Sequence, residues 1–231
     1  MAGTDFDADR FLATPIYAFD FQFMIGDVKD FLEFSESNID RRYQRELQTI
    51  SHRRDLDDFP QGYREHLEQC AEHRFKVSLP LRVRYGAVLA LTTSVEWSVN
   101  FLNEESLAPV PEKRDGTNHT VKVLRQLCAR TKVPAQATID DYVALVQVRN
   151  CIAHSAGLLA TSLYKDDLLD AVARLRGFSL ANWHFFGDQV CIERGALEPY
   201  IDELAKLVVD IHREMNEQQL MQPWAPRSPS V

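Results

Sequence analysis

Hydrophobic residues along most of this chain recur at spacings of three and four, the pattern of amphipathic helices. The clearest run follows Pro80, and a second run precedes and follows Pro199 near the C-terminus. The first contains Leu81, Tyr85, Val88, Thr92, Val95, Val99 and Leu102, and the second contains Leu197, Tyr200, Ile201, Leu204, Leu207, Val208, Ile211 and Met215. Both runs predict helices that face a core.

The N-terminal part predicts two helices separated by a break. One begins at Phe19, and Ser35-Glu36-Ser37-Asn38 reads as a break and N-cap before the next. The apolar stripes are Met24, Val28, Phe31 and Leu32, then Ile39, Tyr43, Leu47 and Ile50. The outer face carries Arg41, Arg42, Arg45, Arg53 and Arg54, which suits a solvated surface or a local path for a polyanion. A loop from Asp55 to Pro60 and a helix to about Phe75 follow.

The middle of the chain predicts three shorter helices. A loop over residues 106–119 precedes a helix over residues 120–131. Thr138 is a candidate N-cap for the next helix, and Gly157 is its candidate stop signal. The apolar face of that helix is Tyr142, Leu145, Val146 and Ile152. A further helix is expected over residues 166–174.

One β signal interrupts the helical pattern. Residues 178–186 and 189–193 flank Gly187-Asp188, which predicts a hairpin with a two-residue turn. The predicted fold class is therefore mainly α, a helical bundle with one small hairpin near residues 178–193. We expect an irregular lead over residues 1–16, a single helical domain over residues 17–222, and a flexible proline-rich tail over residues 223–231.

Composition narrows the function classes. The chain has 231 residues, 45% of them hydrophobic, and a net charge of -8, which argues against a broad electrostatic grip on nucleic acid. The four cysteines show no CxxC spacing, so reduced thiols are favoured over a zinc site or a disulfide framework. No apolar run reaches transmembrane length and the N-terminus lacks signal-peptide blocks, so a soluble cytoplasmic protein without membrane contact is expected.

The candidate catalytic residues lie in one segment, Val148-Arg149-Asn150-Cys151-Ile152-Ala153-His154-Ser155. An arginine, an amide and a group that titrates near neutral pH are what phosphodiester cleavage without a metal requires. Asn150 and His154 are about 40° apart around a helix and share a face, whereas Arg149 and His154 are about 140° apart. Arg149 and His154 can therefore face one point only if the last turn unwinds or a second subunit contributes, and this favours a composite site at a two-fold interface.

Arg149-Asn150, three residues and His154 resemble the signature of the HEPN superfamily. The resemblance covers about residues 81–160 and includes Glu96 on the preceding helix. It implies a HEPN-like core over about residues 81–222, with residues 17–76 as a helical extension. It further implies an endoribonuclease without metal or other cofactor, acting as a homodimer through the motif helix, commonly as a toxin or effector in bacterial antiviral defence.

The same resemblance assigns roles to the motif residues. His154 would act as general base or acid at the ribose 2′-hydroxyl and the leaving oxygen, and Arg149 would hold the scissile phosphate of an RNA substrate. Asn150 would orient the phosphate or His154. Glu96 would support Arg149, and Ser155 is included as a supporting residue. The products would be a 2′,3′-cyclic phosphate and a 5′-hydroxyl.

A purely structural role can also explain these residues. Arg149 can pair with Asp140, Asp141 or Glu96, and His154 suits a helix C-terminus, where a cation is favoured. The alternative function is then a catalytically inactive HEPN-like dimerisation or interaction module, with an antitoxin or another defence-system protein as its partner.

Other candidates are weaker. Cys151 and His154 could form a nucleophile pair, but a small residue in an apolar stripe is more often core. His66 and His73 are two turns apart, a long reach for one metal, and no metal site is expected. The acids Asp166, Asp167 and Asp170 suit a helix start. The segment Trp183-His184-Phe185-Phe186 could stack on bases, but packing of the hairpin is favoured.

Overall fold

The computed structural model describes residues 16–53, 56, 59–60, 62–112, 118–182 and 187–222. Helices account for most of these residues, and one antiparallel hairpin accounts for the strands, so the predicted fold class is confirmed. The helices are α1 (Ile16–His52), α2 (Tyr63–Glu72), α3 (Leu79–Glu104), α4 (His119–Thr131), α5 (Gln136–Ser155), α6 (Lys165–Arg174) and α7 (Glu198–Glu217), and the strands are β1 (Phe178–Asn182) and β2 (Asp188–Ile192).

The chain divides into two compact units whose segments alternate along the sequence. The first lies within Met1–Gly26, Thr93–Val143 and Tyr200–Val231. The second lies within Asp27–Thr92 and Ala144–Pro199. Because α1, α3 and α5 each pass from one unit into the other, each unit is built from parts of several helices.

Aromatic packing organises the first unit. The Phe21 ring meets the rings of Trp97, Phe101 and His212 edge-on, at centroid distances of 6.2, 5.7 and 5.7 Å. Trp97 stacks on Phe101 at 5.5 Å and remains half exposed. The apolar residues predicted along α7 are buried, as are those predicted along both parts of α3, because they repeat on one face of each helix.

The second unit contains the hairpin. Strand β1 pairs with β2 so that Phe178 faces Ile192 and Asn182 faces Asp188. Asp188 therefore belongs to the strand, and the predicted two-residue turn at Gly187-Asp188 is wrong. The connection spans residues 183–187, of which only Gly187 lies within the described part of the chain.

The predicted break at Ser35-Glu36-Ser37-Asn38 is also wrong, since α1 continues through it to His52. Glu36 is buried there, and its carboxylate accepts from Arg84 Nε at 2.7 Å and pairs with Arg194 Nε at 2.9 Å. Arg84 also donates to the Ile192 carbonyl at 2.8 Å. This tertiary ion pair favours the helical conformation over the local preference of serine and asparagine for caps.

Two further helix boundaries differ from the prediction. A π-helical segment, His73–Ser78, connects α2 directly to α3 where a gap before Pro80 was expected. Pro80 has no N–H group and its ring crowds the carbonyl four residues earlier, which explains a widened turn at this point. Helix α5 begins at Gln136, so Thr138 lies inside it and is not its N-cap.

The prediction for Phe31 is also wrong. This side chain was expected on an apolar face of the first helix, but it is 45% exposed.

Within the described residues, no helix combines the length and the apolar character needed to cross a membrane. The irregular lead up to residue 15, Arg54, the Trp183–Phe186 segment and the tail from residue 223 lie outside the described residues.

Replacement of Glu36 should destabilise the second unit. The Glu36 and Arg84 side chains are only 11% and 15% exposed, so Glu36→Ala leaves the Arg84 guanidinium without its carboxylate in a nearly dry position. We expect a loss of roughly 3 kcal/mol in the free energy of unfolding, measured in urea. Asp40→Asn is the matched control, because the Asp40–Arg194 pair is 61% exposed on both sides and should change stability by less than about 1 kcal/mol. Equal losses in both variants would contradict this account.

Stability should fall as the pH drops from 6.5 toward 4, because of His212. Burial lowers the pKa of His212 from 6.5 to about 4, and the Asn216 amide lies 3.1 Å from Nε2, where it donates to a neutral ring. The unfolded chain then takes up the proton first, so the contribution of neutral His212 is complete above pH 6.5 and is lost toward pH 4. It amounts to about 3 kcal/mol. The free energy of unfolding of His212→Phe should depend less steeply on pH in this window than that of the wild type; parallel profiles would contradict the assignment.

Candidate functional site

Helix α5 carries the motif and stays regular to Ser155. Ala156 and Gly157 then adopt left-handed φ angles of 51° and 83°, and the Gly157 N–H donates to the Cys151 carbonyl at 3.2 Å. Gly157 is therefore the stop signal that the sequence predicts. Since the last turn does not unwind, the motif residues keep the angular separation of an ordinary helix.

Strand β2 and Tyr85 hold the end of this helix. The Val190 N–H donates to the Gly157 carbonyl at 2.9 Å, and Gln189 Nε2 donates to the Ala156 carbonyl at 2.8 Å. The buried Tyr85 hydroxyl donates to the Val190 carbonyl, and burial raises the pKa of this tyrosine far above its usual value, so the hydroxyl remains a donor. The hairpin thus fixes the position of the C-terminal end of α5 and of the side chains on its last turn.

A pocket of about 280 Å³ opens beside the final two turns of α5. One wall is a single helical face, and the other is the segment that follows the 3-10 turn Leu159–Thr161. The lining residues are Gln147, Asn150, Cys151, His154, Ser155, Ser162, Leu163 and Tyr164. Asn150 and His154 therefore line one pocket, as their spacing predicts.

Arg149 occupies a different side of the helix. The lining of the pocket, within the described residues, does not include it, and on a regular helix it lies roughly 160° from Gln147. Arg149 is half-buried and its Nε atom is enclosed by protein. His154, by contrast, is exposed. One copy of the chain thus brings together the amide and the imidazole of the motif but not its guanidinium.

Ser155 has a structural contact beside the pocket. Its hydroxyl donates to the Thr161 carbonyl at 3.0 Å, and its own carbonyl accepts from the Leu158 N–H at 2.9 Å. These bonds fold the following segment back against α5 and create the second wall. The contribution of Ser155 is therefore to the shape of the pocket.

Cys151 lines the pocket but is unsuited to be a nucleophile. Burial raises the pKa of its thiol, and the sulfur lies 3.8 Å from the Leu158 carbonyl. A thiol held in its neutral form is a weak nucleophile at neutral pH. The His154 imidazole is thus the more reactive group here.

Glu96 is half-buried on α3 and belongs to the first unit, whereas Arg149 belongs to the second. Its proposed support of Arg149 stays a prediction. Among the described residues, no three His, Cys, Asp or Glu side chains lie close enough together to hold a metal ion. His66 lies 3.6 Å from the Cys70 sulfur on the exposed face of α2.

Sequence reasoning missed Gln147, Ser162, Leu163 and Tyr164. Gln147 could have been found by extending the Asn150–His154 face one turn back, since positions i, i+3 and i+7 share a side of a helix. Tyr164 and its neighbours carry no such signal, because the fold of the segment after Gly157 brings them to the pocket.

Gly157→Ala should disrupt the end of α5. A Cβ at this position would overlap the Tyr85 hydroxyl oxygen, in addition to the cost of the left-handed φ. Gly195→Ala is the matched control, because its φ of 81° is similar and no atom lies within 4 Å of the added Cβ. We expect Gly195→Ala to lose about 1 kcal/mol in urea unfolding and Gly157→Ala several times as much. Similar losses would mean that the contact with Tyr85 is unimportant.

Comparisons with protein-family models, with curated proteins and with solved structures find no match for this chain. The residues of this pocket are therefore the basis of the proposed function.

Proposed function

We propose that this protein is a HEPN-like endoribonuclease that cleaves RNA without a metal ion. The observation that carries the proposal is the pocket at the end of α5, where the exposed His154 and the Asn150 amide line the same space. An imidazole serves as a general acid and base, and an amide N–H donates to a phosphate oxygen. The Arg149-Asn150…His154 spacing and the resemblance that it carries support the same reaction.

The reaction is an internal transfer at phosphorus. His154 accepts the proton of the ribose 2′-hydroxyl, the 2′-oxygen forms a bond to phosphorus, and the bond from phosphorus to the 5′-oxygen breaks. The departing 5′-oxygen takes that proton from the His154 imidazolium, so the histidine returns to its starting form. The products are a 2′,3′-cyclic phosphate and a 5′-hydroxyl, so no oxidant, metal or second substrate is consumed.

A second copy of the chain supplies the guanidinium in this proposal. The exposed Ala153 lies between Arg149 and Asn150 around α5, about 40° from one and 60° from the other, so its small side chain permits close approach on that face. When two such helices pack in parallel about a two-fold axis, the Arg149 edge of each faces the His154 edge of the other. The arginine then stabilises the charge that develops on the phosphate.

The half-burial of Arg149 favours a second candidate function. An arginine enclosed at Nε and absent from the lining of the pocket fits a helical interaction module that pairs with an antitoxin or another defence-system protein. The ribonuclease remains our first choice because a merely structural motif has no need of an exposed His154 beside a pocket. Either role is proposed for the cytoplasm, where the widely spaced cysteines stay reduced.

Purified protein should cleave a mixed RNA substrate in EDTA and leave cyclic-phosphate ends. His154→Ala and Arg149→Ala should each reduce the rate by at least about 100-fold, because general acid–base catalysis and charge stabilisation each contribute at that level. His66→Ala, which removes an exposed histidine on α2, is the control and should cleave as the wild type does. Retained cleavage in His154→Ala, or no cleavage by a folded dimer, would contradict the proposal and favour the interaction module.

Mixing the two inactive variants tests the composite site. A dimer of one Arg149→Ala chain and one His154→Ala chain has one intact site and one site that lacks both residues. After subunit exchange at equal concentrations, about a quarter of the wild-type rate should return, since half of the dimers are mixed. No recovery, despite exchange shown by light scattering or mass spectrometry, would place both residues in one copy or neither in the reaction.

A further inference from the structure

Two exposed apolar side chains form the rim of the pocket that His154 lines. Leu163 is 86% exposed and Tyr164 is 63% exposed, although both belong to the pocket wall. Large apolar groups left in water beside a candidate site indicate contact with a ligand. A tyrosine ring in this position offers a flat face to any planar group that enters the pocket.

The backbone that carries Tyr164 is well anchored. The Tyr164 carbonyl accepts from the N–H of the buried Leu168 at 3.1 Å, at the start of α6. On the other side, the Ser155–Thr161 bond and the bond from the Ser162 N–H to the Leu159 carbonyl at 3.2 Å hold the preceding turn. The backbone that bears the ring is therefore fixed before a ligand binds, which lowers the entropic cost of ordering this segment.

The wall of the pocket opposite Tyr164 is formed by α5 and carries polar side chains that can bind the edge of a nucleobase. Gln147 and Asn150, one turn apart on α5, both place amide-bearing side chains in the lining. Each amide has donors and an acceptor, the groups that read the edge of a nucleobase. A volume of about 280 Å³ lies at the small end of ligand sites and suits one heterocycle with its sugar better than an extended chain.

We infer that Tyr164 stacks on an unpaired nucleobase beside the scissile phosphate. The inference rests on the proposed ribonuclease function. Bases inside an A-form duplex are stacked on each other and are not available to a protein ring. The net charge of -8 argues against a strong general grip on phosphates, so we expect stacking to supply a large share of the affinity.

Binding of a single-stranded 2′-O-methyl RNA oligonucleotide tests this without chemistry, because the blocked 2′-oxygen cannot attack. By fluorescence anisotropy, Tyr164→Ala should raise the Kd about 10-fold, the effect expected for one lost stack. Tyr164→Phe keeps the ring and should stay within about 2-fold of the wild type. Phe34→Ala, which removes a similarly exposed ring on α1 outside the pocket lining, should also stay within about 2-fold, and a duplex of the same sequence should bind about 10-fold more weakly.

The outcomes separate the inference from the proposed function. Cleavage of RNA with an unchanged Kd in Tyr164→Ala would overturn the stacking role and leave the ribonuclease intact. Binding that depends on the Tyr164 ring, without cleavage of unmodified RNA, would overturn the ribonuclease and support the base pocket. Equal weakening in Phe34→Ala and Tyr164→Ala would overturn the inference, because binding would then not depend on the pocket. A loss of dimer by sedimentation in Tyr164→Ala would also overturn it and would assign the rim to a protein contact.

Discussion

The candidate site depends on the way strand β2 closes the end of helix α5. Three hydrogen bonds meet there: from the Tyr85 hydroxyl to Val190, from the Val190 N–H to Gly157, and from the Gln189 amide to Ala156. The last two of these bonds satisfy the carbonyls of Gly157 and Ala156, in the turn that directly follows the helix. Because Tyr85 fills the space beside Gly157, the chain can turn only with a residue that has no Cβ.

This closure explains why a pocket exists beside a histidine at a helix end. The turn after Gly157 directs the chain back along α5, and the Ser155–Thr161 bond keeps it there. A helix that simply ran into solvent would expose His154 without any second wall. The hairpin, which is marginal as an isolated element, therefore has a definite structural purpose in the second unit.

The same regularity separates the motif residues. Asn150 and His154 share the pocket, while Arg149 points to another side of α5, because a helix that stays regular to Ser155 cannot direct residues five positions apart to one point. A catalytic cleft that uses the guanidinium thus needs a second copy, and a protein that acts alone would use only the amide and the imidazole. This is the physical basis on which the two candidate functions differ.

Features that depend on local spacing were predicted correctly, whereas features that depend on contacts between distant residues were not. Apolar stripes on α3, α5 and α7 were predictable because burial of one helical face depends on spacing alone. The break at Ser35–Asn38 was wrong because Glu36 pairs with Arg84 and Arg194, which lie far away in the sequence. The hairpin turn was misplaced because the register from Phe178–Ile192 to Asn182–Asp188 overrides the local turn preference of Gly187-Asp188.

By itself, the sequence determined the helical class, the end of α5 shortly before Gly157, and the shared face of Asn150 and His154, since each follows from local geometry. Only the tertiary structure decided that Tyr164, Leu163 and Ser162 complete a pocket with that face. Those residues have no periodic relation to the motif. Their approach results from the Ser155–Thr161 bond together with the long-range contacts of Tyr85 and β2 with the helix end. Contacts between residues distant in the chain leave no repeating pattern, and so the second wall of the site could not be foreseen.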